Sequence, residues 1–495
     1  MNFANPVPAA SLRVLFATSE CAPLAKTGGL GDVSAAFPAA LRALGVDARV
    51  LLPAYRGVAA QVTDIELAAV LRASLHFPAA RLLQGTGPRG VPLFLLDCPA
   101  LYDREGGLYG DATGVDFKDN AVRFGLLSEV AARLGTAASP VDWRAHIVHA
   151  NDWQTGLAPA YLHFHADALA RSVITVHNLA FQGIFTADTV RALGLPAESF
   201  GVNGVEYHGL LSFLKGGLYY ADAITTVSPT YASEIQGESL GFGMQGLLAG
   251  RRESLHGILN GIDTVLWDPE RDSRLVAKFS ATALAGKAAN RAALCDRFAL
   301  TPGGEVPVAV MVSRLTYQKG IDLVLNAIDA LLAMPVALAV LGTGEPAYEN
   351  LLKELARRHH GRLGVAIGLD ESLAHLMIAG ADLFLMPSRF EPCGLDQMLA
   401  QRYGTLPVVR ATGGLVDSVV DFSPESVANG TASGFAFREE TLRDFVGAVS
   451  RACEAWQNRA LREQLQRTAM TRDFSWAQAA RHYREVYESV LRPSP

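Results

Sequence analysis

Short apolar runs that end in polar or glycine-bearing turns recur along the chain. Each is the pattern of a buried strand that delivers chemistry at its C-terminal end. Residues 14–17 (VLFA) read as the first strand and lead to the turn Gly28-Gly29-Leu30-Gly31-Asp32. Residues 34–44 then read as a helix closed by Gly45, and 49–52 as the next strand. Further on, apolar residues 147–150 end at Asn151-Asp152-Trp153, 173–176 at His177-Asn178, and 223–227 at Ser228-Pro229.

The second half alternates more regularly. Strand 308–312 runs into Ser313-Arg314, with a helix from about Gly320. Strand 337–341, the turn Gly342-Thr343-Gly344 and a helix from about Pro346 follow. Strand 364–367, helix 371–379, strand 382–386, a helix after Gly394 and strand 406–409 complete the run. Strand–helix alternation with short loops predicts doubly wound α/β domains. A boundary is expected near 261–285, where the strand-like 259–261 gives way to the charged segment 267–274. Residues 476–491 read as a surface or interdomain helix.

Length supports this division. The chain has 495 residues, and one hydrophobic core rarely grows beyond roughly 250–300. Half the residues are hydrophobic and 19% are charged, an ordinary globular balance. A net charge of −6 argues against a general nucleic-acid binder. Five scattered cysteines, with no C-x-x-C pair, argue against a disulfide framework or structural zinc. The N-terminal stretch lacks the basic and apolar regions of a signal peptide, and no apolar run approaches the ~18–20 residues of a membrane span. A soluble cytoplasmic protein is expected.

The candidate chemistry sits at strand ends. Lys26 and the glycines after it could bring backbone N–H groups and a point charge to a phosphate. They equally suit a plain strand-to-helix turn, because neither a Walker A loop nor G-x-G-x-x-G is present. Arg314 and Lys319 flank a Gln-Lys-Gly turn, and such a pair suits a diphosphate leaving group or simply a solvated helix start. Glu391-Pro392-Cys393-Gly394-Leu395 offers a carboxylate for sugar hydroxyls, or one that merely complements a helix dipole. No base partner for Cys393 stands out, and no His/Asp/Glu cluster has metal-ligand spacing.

Taken in order, these segments resemble the bacterial glycogen synthases and the related plant starch synthases. The match includes KTGGLGDV at 26–33, HANDW at 149–153, TVHNLAFQG at 175–183 and YADAITTVSPTYASEI at 220–235. It continues through ILNGID at 258–263, SRLTYQKG at 313–320, PSRFEPCGLDQ at 387–397, RATGGLVDSV at 410–419 and FSWAQAA at 474–480. The resemblance implies a GT-B fold, with two Rossmann-like doubly wound α/β domains facing across a deep cleft. The expected division is 1–265, 266–475 and a C-terminal helix, 476–495, packing back on the first domain.

The implied activity is transfer of glucose from ADP-glucose to the non-reducing end of an α-1,4-glucan, glycogen or a malto-oligosaccharide, with retention. No metal, cofactor, nucleic acid or membrane is implied. By motif position, the catalytic set is His177, Arg314, Lys319 and Glu391. Lys26 and Gly29 would hold the donor, and Arg314 and Lys319 its diphosphate. Glu391 would hold the glucose hydroxyls, and His177 would lie beside the anomeric centre. Gly28, Asp32, Tyr109, Asp152, Asn178, Asn260, Cys393, Gly394 and Leu395 complete the substrate-binding set.

Three positions depart from the family pattern. Leu369 stands where an aromatic beside the nucleotide is expected. Asp396 stands where a neutral residue such as Thr is usual. Asn151 replaces a common His in H-x-H-D-W, as it does in the plant enzymes.

Overall fold

A computed structural model describes residues 12–492. The first eleven residues, which carry much of the stretch inspected for a signal peptide, lie outside the described residues. The chain divides into two compact units. The first runs to Gly261 and resumes at Trp476; the second is Ile262–Ser475.

The first unit is built on a nine-stranded sheet. In chain order its strands are β1 (Arg13–Ala17), β2 (Asp47–Pro53), β3 (Thr63–Leu71), β4 (Ala80–Thr86), β5 (Pro92–Asp97), β6 (Ile147–Asn151) and β7 (Arg171–Val176). A small antiparallel sheet follows, of β8 (Ile184–Phe185), β9 (Glu206–Tyr207) and β10 (Leu210–Ser212). The main sheet ends with β11 (Ala223–Thr226) and β12 (Leu255–Gly257). The spatial order is β12-β11-β7-β6-β1-β2-β5-β4-β3. Pairs from β12 to β5 are parallel, and β4 and β3 extend the edge antiparallel. The strand-like reading of 259–261 is corrected, since the strand is Leu255–Gly257 and the backbone has already left the sheet. Glycine-free helix was expected only from residue 34, yet the helix already starts at Gly29, because the glycines themselves form its first turn.

The second unit holds β13 (Val308–Val312), β14 (Ala337–Gly342), β15 (Leu363–Ile367), β16 (Leu383–Met386), β17 (Leu406–Arg410) and β18 (Phe435–Phe437). They form one parallel sheet in the order β15-β14-β13-β16-β17-β18. Buried aliphatic residues on these strands and on the helices Ile321–Ala333 and Leu442–Trp456 form its core.

Both sheets reverse their winding once. In the first the reversal falls between β1 and β6, and in the second between β13 and β16. Open α/β sheets bind ligands beyond strand C-termini at such switch points. Lys26, Asp152, Arg314 and Glu391 all follow one of these four strands.

The helix Trp476–Leu491 belongs to the first unit. Its Trp476, Tyr483 and Tyr487 pack into the same apolar cluster as Phe16 and Phe37. Tyr487 Oη lies 2.7 Å from Nδ1 of the buried His149, whose Nε2 lies 2.6 Å from Thr175 Oγ1. Thr175 meets Thr225 Oγ1 at 2.6 Å, and Thr225 donates to the Ile174 carbonyl. Thr225's donation to that carbonyl directs the chain so that His149 carries a proton on Nε2, and with the ring neutral the tyrosine hydroxyl donates to Nδ1. Burial pushes its pKa down to about 3.

Candidate active site

At the first switch point, β1 is followed by Thr18-Ser19-Glu20. Glu20 is buried and organises the loop behind it. Thr27 N–H and Gly28 N–H donate to Oε2 at 2.8 and 3.1 Å. The Thr27 hydroxyl donates to Oε1 at 2.5 Å and Tyr109 Oη at 2.7 Å. Four donors on one carboxylate use its full acceptor capacity. Gly31 makes room for this, because a Cβ there would stand 3.0 Å from Lys26 Cγ and 3.4 Å from Glu20 Oε2.

Lys26 itself points outward, paired with Asp32 at 2.7 Å, both side chains roughly half exposed. Exposed pairs are worth at most about 1 kcal/mol, so an anion can readily take the ammonium from Asp32. The helix Gly29–Ala43 starts there with no side-chain cap, and a Cβ at Gly28 would meet open space. The Gly29 and Leu30 N–H groups at its start have no side-chain cap and suit an anion.

Across the switch point, β6 ends at Asn151 and the backbone turns at Asp152 with φ 56° and ψ −171°. Residues other than glycine pay about 1–3 kcal/mol for this region. Asp152 is held there by its contacts. Its N–H donates to the Thr175 carbonyl, while its Oδ1 accepts from His177 N–H at 2.7 Å and Asn178 N–H at 3.4 Å. Burial pushes its carboxyl up to about 7, against the pull of those two donors. The His177 ring lies 3.0 Å from Asn151 Oδ1 through Nε2. Burial pushes that ring down to about 3, which keeps it neutral. Asn178 turns its own side chain back onto Ala180 N–H. Asn260 is buried, and its Oδ1 accepts from nothing among the described residues.

At the second switch point, Lys319 Nζ and Glu391 Oε2 meet at 2.5 Å, with side chains 15% and 8% exposed. Ser388 Oγ donates to the same oxygen at 3.0 Å. Glu391 Oε1 accepts from nothing among the described residues. Gly320 permits the meeting, since its φ is 70° and a Cβ there would lie 2.2 Å from the Pro387 carbonyl. Arg389 ties the same two segments together. It forks onto Asp322 at 2.6 and 2.8 Å, reaches the Tyr317 carbonyl and stacks 3.4 Å from the Tyr317 ring. The Arg314 side chain is exposed, and among the described residues its hydrogen bond is to Gln318, at 3.4 Å.

Cys393 is buried, Gly394 adopts φ 69°, and Leu395 precedes the short helix Asp396–Arg402. Gly413 and Gly414 approach so closely that a Cβ on either would stand 2.0 Å from the Glu391 carbonyl or 2.2 Å from that of Cys393. Asp396 lines the same small cavity as Lys319 and Ser388, and Leu369 is 88% exposed. The structure thus gathers Thr27, Gly28 and Tyr109 on Glu20 and pairs Lys26 with Asp32 beside them. It joins Asp152, His177 and Asn178 through backbone donors, and Lys319 to Glu391 directly. Asn260 joins none of these groups. Glu20, Gly31, Ser388 and Arg389 are the residues that sequence reasoning misses. Only the placement of Glu20 just after β1 could have signalled it. Among the described residues no helix is long and apolar enough to cross a membrane, and no group of three His, Cys, Asp or Glu side chains could hold a metal ion.

Two doubly wound domains with charged groups at both switch points are the architecture expected of a GT-B glycosyltransferase. The comparisons agree. The family profile described as "Starch synthase catalytic domain" matches residues 13–250, and "Glycosyl transferases group 1" matches 296–471. The chain is 53% identical to a glycogen synthase of Nitrosospira multiformis, over 97% of both chains. It is 56% identical to a glycogen synthase of Aromatoleum aromaticum, over 97% of this chain and 98% of that one. In structure it is similar to the catalytic domain of starch synthase IV from Arabidopsis thaliana bound to ADP and acarbose. That likeness has a TM-score of 0.87 and 31% identity, over 98% of this chain and 100% of the other. A sucrose-phosphate synthase from Thermosynechococcus elongatus shares the fold, with a TM-score of 0.58 and 16% identity over 97% and 99% of the two chains. The chain belongs to the glycogen synthase family.

Proposed function

We propose that the protein transfers glucose from ADP-glucose to the non-reducing end of an α-1,4-glucan, with retention of configuration, in glycogen synthesis in the cytoplasm. The observation that carries the reading is the Lys319–Glu391 pair at the β13/β16 switch point. One carboxylate oxygen holds the ammonium while the other is open to a sugar hydroxyl. The ammonium keeps two further donors for phosphate. Arg314, exposed just after β13, adds a planar fork suited to a diphosphate.

The chemistry then needs no protein nucleophile. As the glycosidic carbon separates from the diphosphate, negative charge grows on the leaving group, and Arg314 and Lys319 stabilise it. Glu391 orients the glucose, and His177 lies beside the developing positive charge. Lys26, Gly28, Gly29 and Asp32 form the donor-gripping loop, braced by Tyr109. Asp152, Asn178 and Asn260 contact sugar, and Cys393, Gly394 and Leu395 shape the donor pocket. The starch synthase bound to ADP and acarbose, 31% identical, supports a nucleotide-sugar donor and a glucan acceptor.

The test is glucose incorporation into glycogen from ADP-glucose and from UDP-glucose. A clear preference for ADP-glucose is expected. Equal or better use of UDP-glucose overturns the donor assignment.

A further inference from the structure

Asn151 is fully buried at the end of β6. Its carboxamide is fixed from both sides. The Nδ2 group donates to the Ala17 carbonyl at 3.0 Å and the His149 carbonyl at 3.3 Å. Carbonyls only accept, so the amide cannot be turned over without placing Oδ1 against two carbonyl oxygens. Oδ1 therefore faces His177 Nε2, and the 3.0 Å contact requires that Nε2 carry the proton. Nδ1 is left with its lone pair and no partner among the described residues. The main chain of His177 is fixed separately, by the Asp152 carboxylate.

We propose that Asn151 is a positioning residue that holds His177 in the Nε2-protonated tautomer, so that Nδ1 meets the substrate as a hydrogen-bond acceptor for a sugar hydroxyl. This rests on the reading that His177 faces the transferred sugar. A neutral ring with a free lone pair accepts a hydroxyl proton, whereas an imidazolium has two donors and repels the positive charge that develops on the sugar. The titratable groups around the ring are His149 on β6 and Asp152 after it, with Glu20 beyond Asp152. His149 is itself neutral, and burial alone drives the His177 ring toward the uncharged form. Asn151 adds what burial cannot, the choice between the two neutral tautomers.

The decisive comparison uses the full chain with Asn151→Asp, Asn151→Leu and His177→Ala. The aspartate still accepts from Nε2–H but adds a charge that favours imidazolium. Its kcat should acquire a histidine titration between about pH 5.5 and 9 that the unaltered enzyme lacks, with the loss on the acid side. Asn151→Leu should lower kcat about tenfold, as expected for one neutral hydrogen bond, with KM for ADP-glucose unchanged and no new titration. Nitrogen-15 NMR of the unaltered protein, labelled at histidine, should show His177 protonated at Nε2 and bare at Nδ1. That measurement needs no variant to fold. A proton on Nδ1, or an Asn151→Asp pH profile identical to that of the unaltered enzyme, overturns the proposal. Full activity in His177→Ala removes the reading beneath it instead.

Discussion

Lys319 and Glu391, 72 residues apart in sequence, form one ion pair at 2.5 Å across the winding reversal of the second sheet. Each side chain is a condition for the other. Removing either leaves a largely buried charge without its partner, which typically costs about 3–5 kcal/mol. Lys319→Ala should therefore lower the denaturant midpoint as well as activity. Glu391→Ala should lower kcat about a hundredfold or more, as for loss of one preorganised contact to the reacting group. Unchanged incorporation in Glu391→Ala would refute its assignment to the sugar.

Gly320 offers a cleaner probe, since it touches no substrate in this reading. Alanine there would sit at φ 70°, which L residues rarely adopt, with its Cβ only 2.2 Å from the Pro387 carbonyl oxygen. The turn must shift and carry Lys319 away from Glu391. Gly320→Ala should lose activity about as severely as Lys319→Ala, with the far-ultraviolet circular dichroism unchanged.

Glu20 is expected to set donor affinity. Glu20→Leu removes both acceptor oxygens and leaves the Thr27 and Gly28 N–H groups without a partner, whereas the two hydroxyls can turn elsewhere. Each unsatisfied donor costs about 1–3 kcal/mol. KM for ADP-glucose should rise by tenfold or more, with a smaller change in kcat. An unchanged KM would confine Glu20 to a structural role.

Acid stability carries a sign that the histidines decide. His149 and His177 are held near pKa 3 in the fold, against about 6.5 in an unfolded chain. The unfolded state therefore binds more protons between those values. The stability they contribute is present above about pH 6.5 and is lost as pH falls toward 3. Asp152, raised to about 7, binds its proton more tightly in the fold and offsets one histidine above about pH 4, so denaturant titrations across that range should show a moderate acid loss. His149→Gln should reduce the slope by about 1.4 kcal/mol per pH unit.

Leu369 gives a gain-of-function test. It is almost fully exposed, where the family pattern places an aromatic beside the nucleotide. Leu369→Tyr should lower KM for ADP-glucose severalfold, in line with about 1 kcal/mol from stacking. An unchanged KM would mean that the base lies elsewhere.

The strands that position the site are legible in the sequence because parallel strands covered on both faces read as unbroken apolar runs. Residues 308–312 and 337–341 fall within a residue of β13 and β14. The edge strand β3 is mostly exposed and pairs with β4 through register shifts, so it shows neither a run nor a clean alternation. Lys26, Lys319 and Glu391 announce themselves by charge near glycine. Glu20 does not, because its role depends on a fold-back that brings Tyr109 from 89 residues away. Lys319 and Glu391 are each visible as chemistry, but their pairing is set by the order of strands in the sheet, which no local pattern encodes.

The helix Trp476–Leu491 completes the core of the first unit, although it is made after all of Ile262–Ser475. During synthesis the second unit can close as soon as its own residues emerge. The first must wait with Phe37 and His149 uncovered, its cluster lacking Trp476, Tyr483 and Tyr487. The core of the first unit is thus completed only by residues made after the whole second unit. Shortening this helix would leave the half that translation begins with unfinished, rather than trimming a tail.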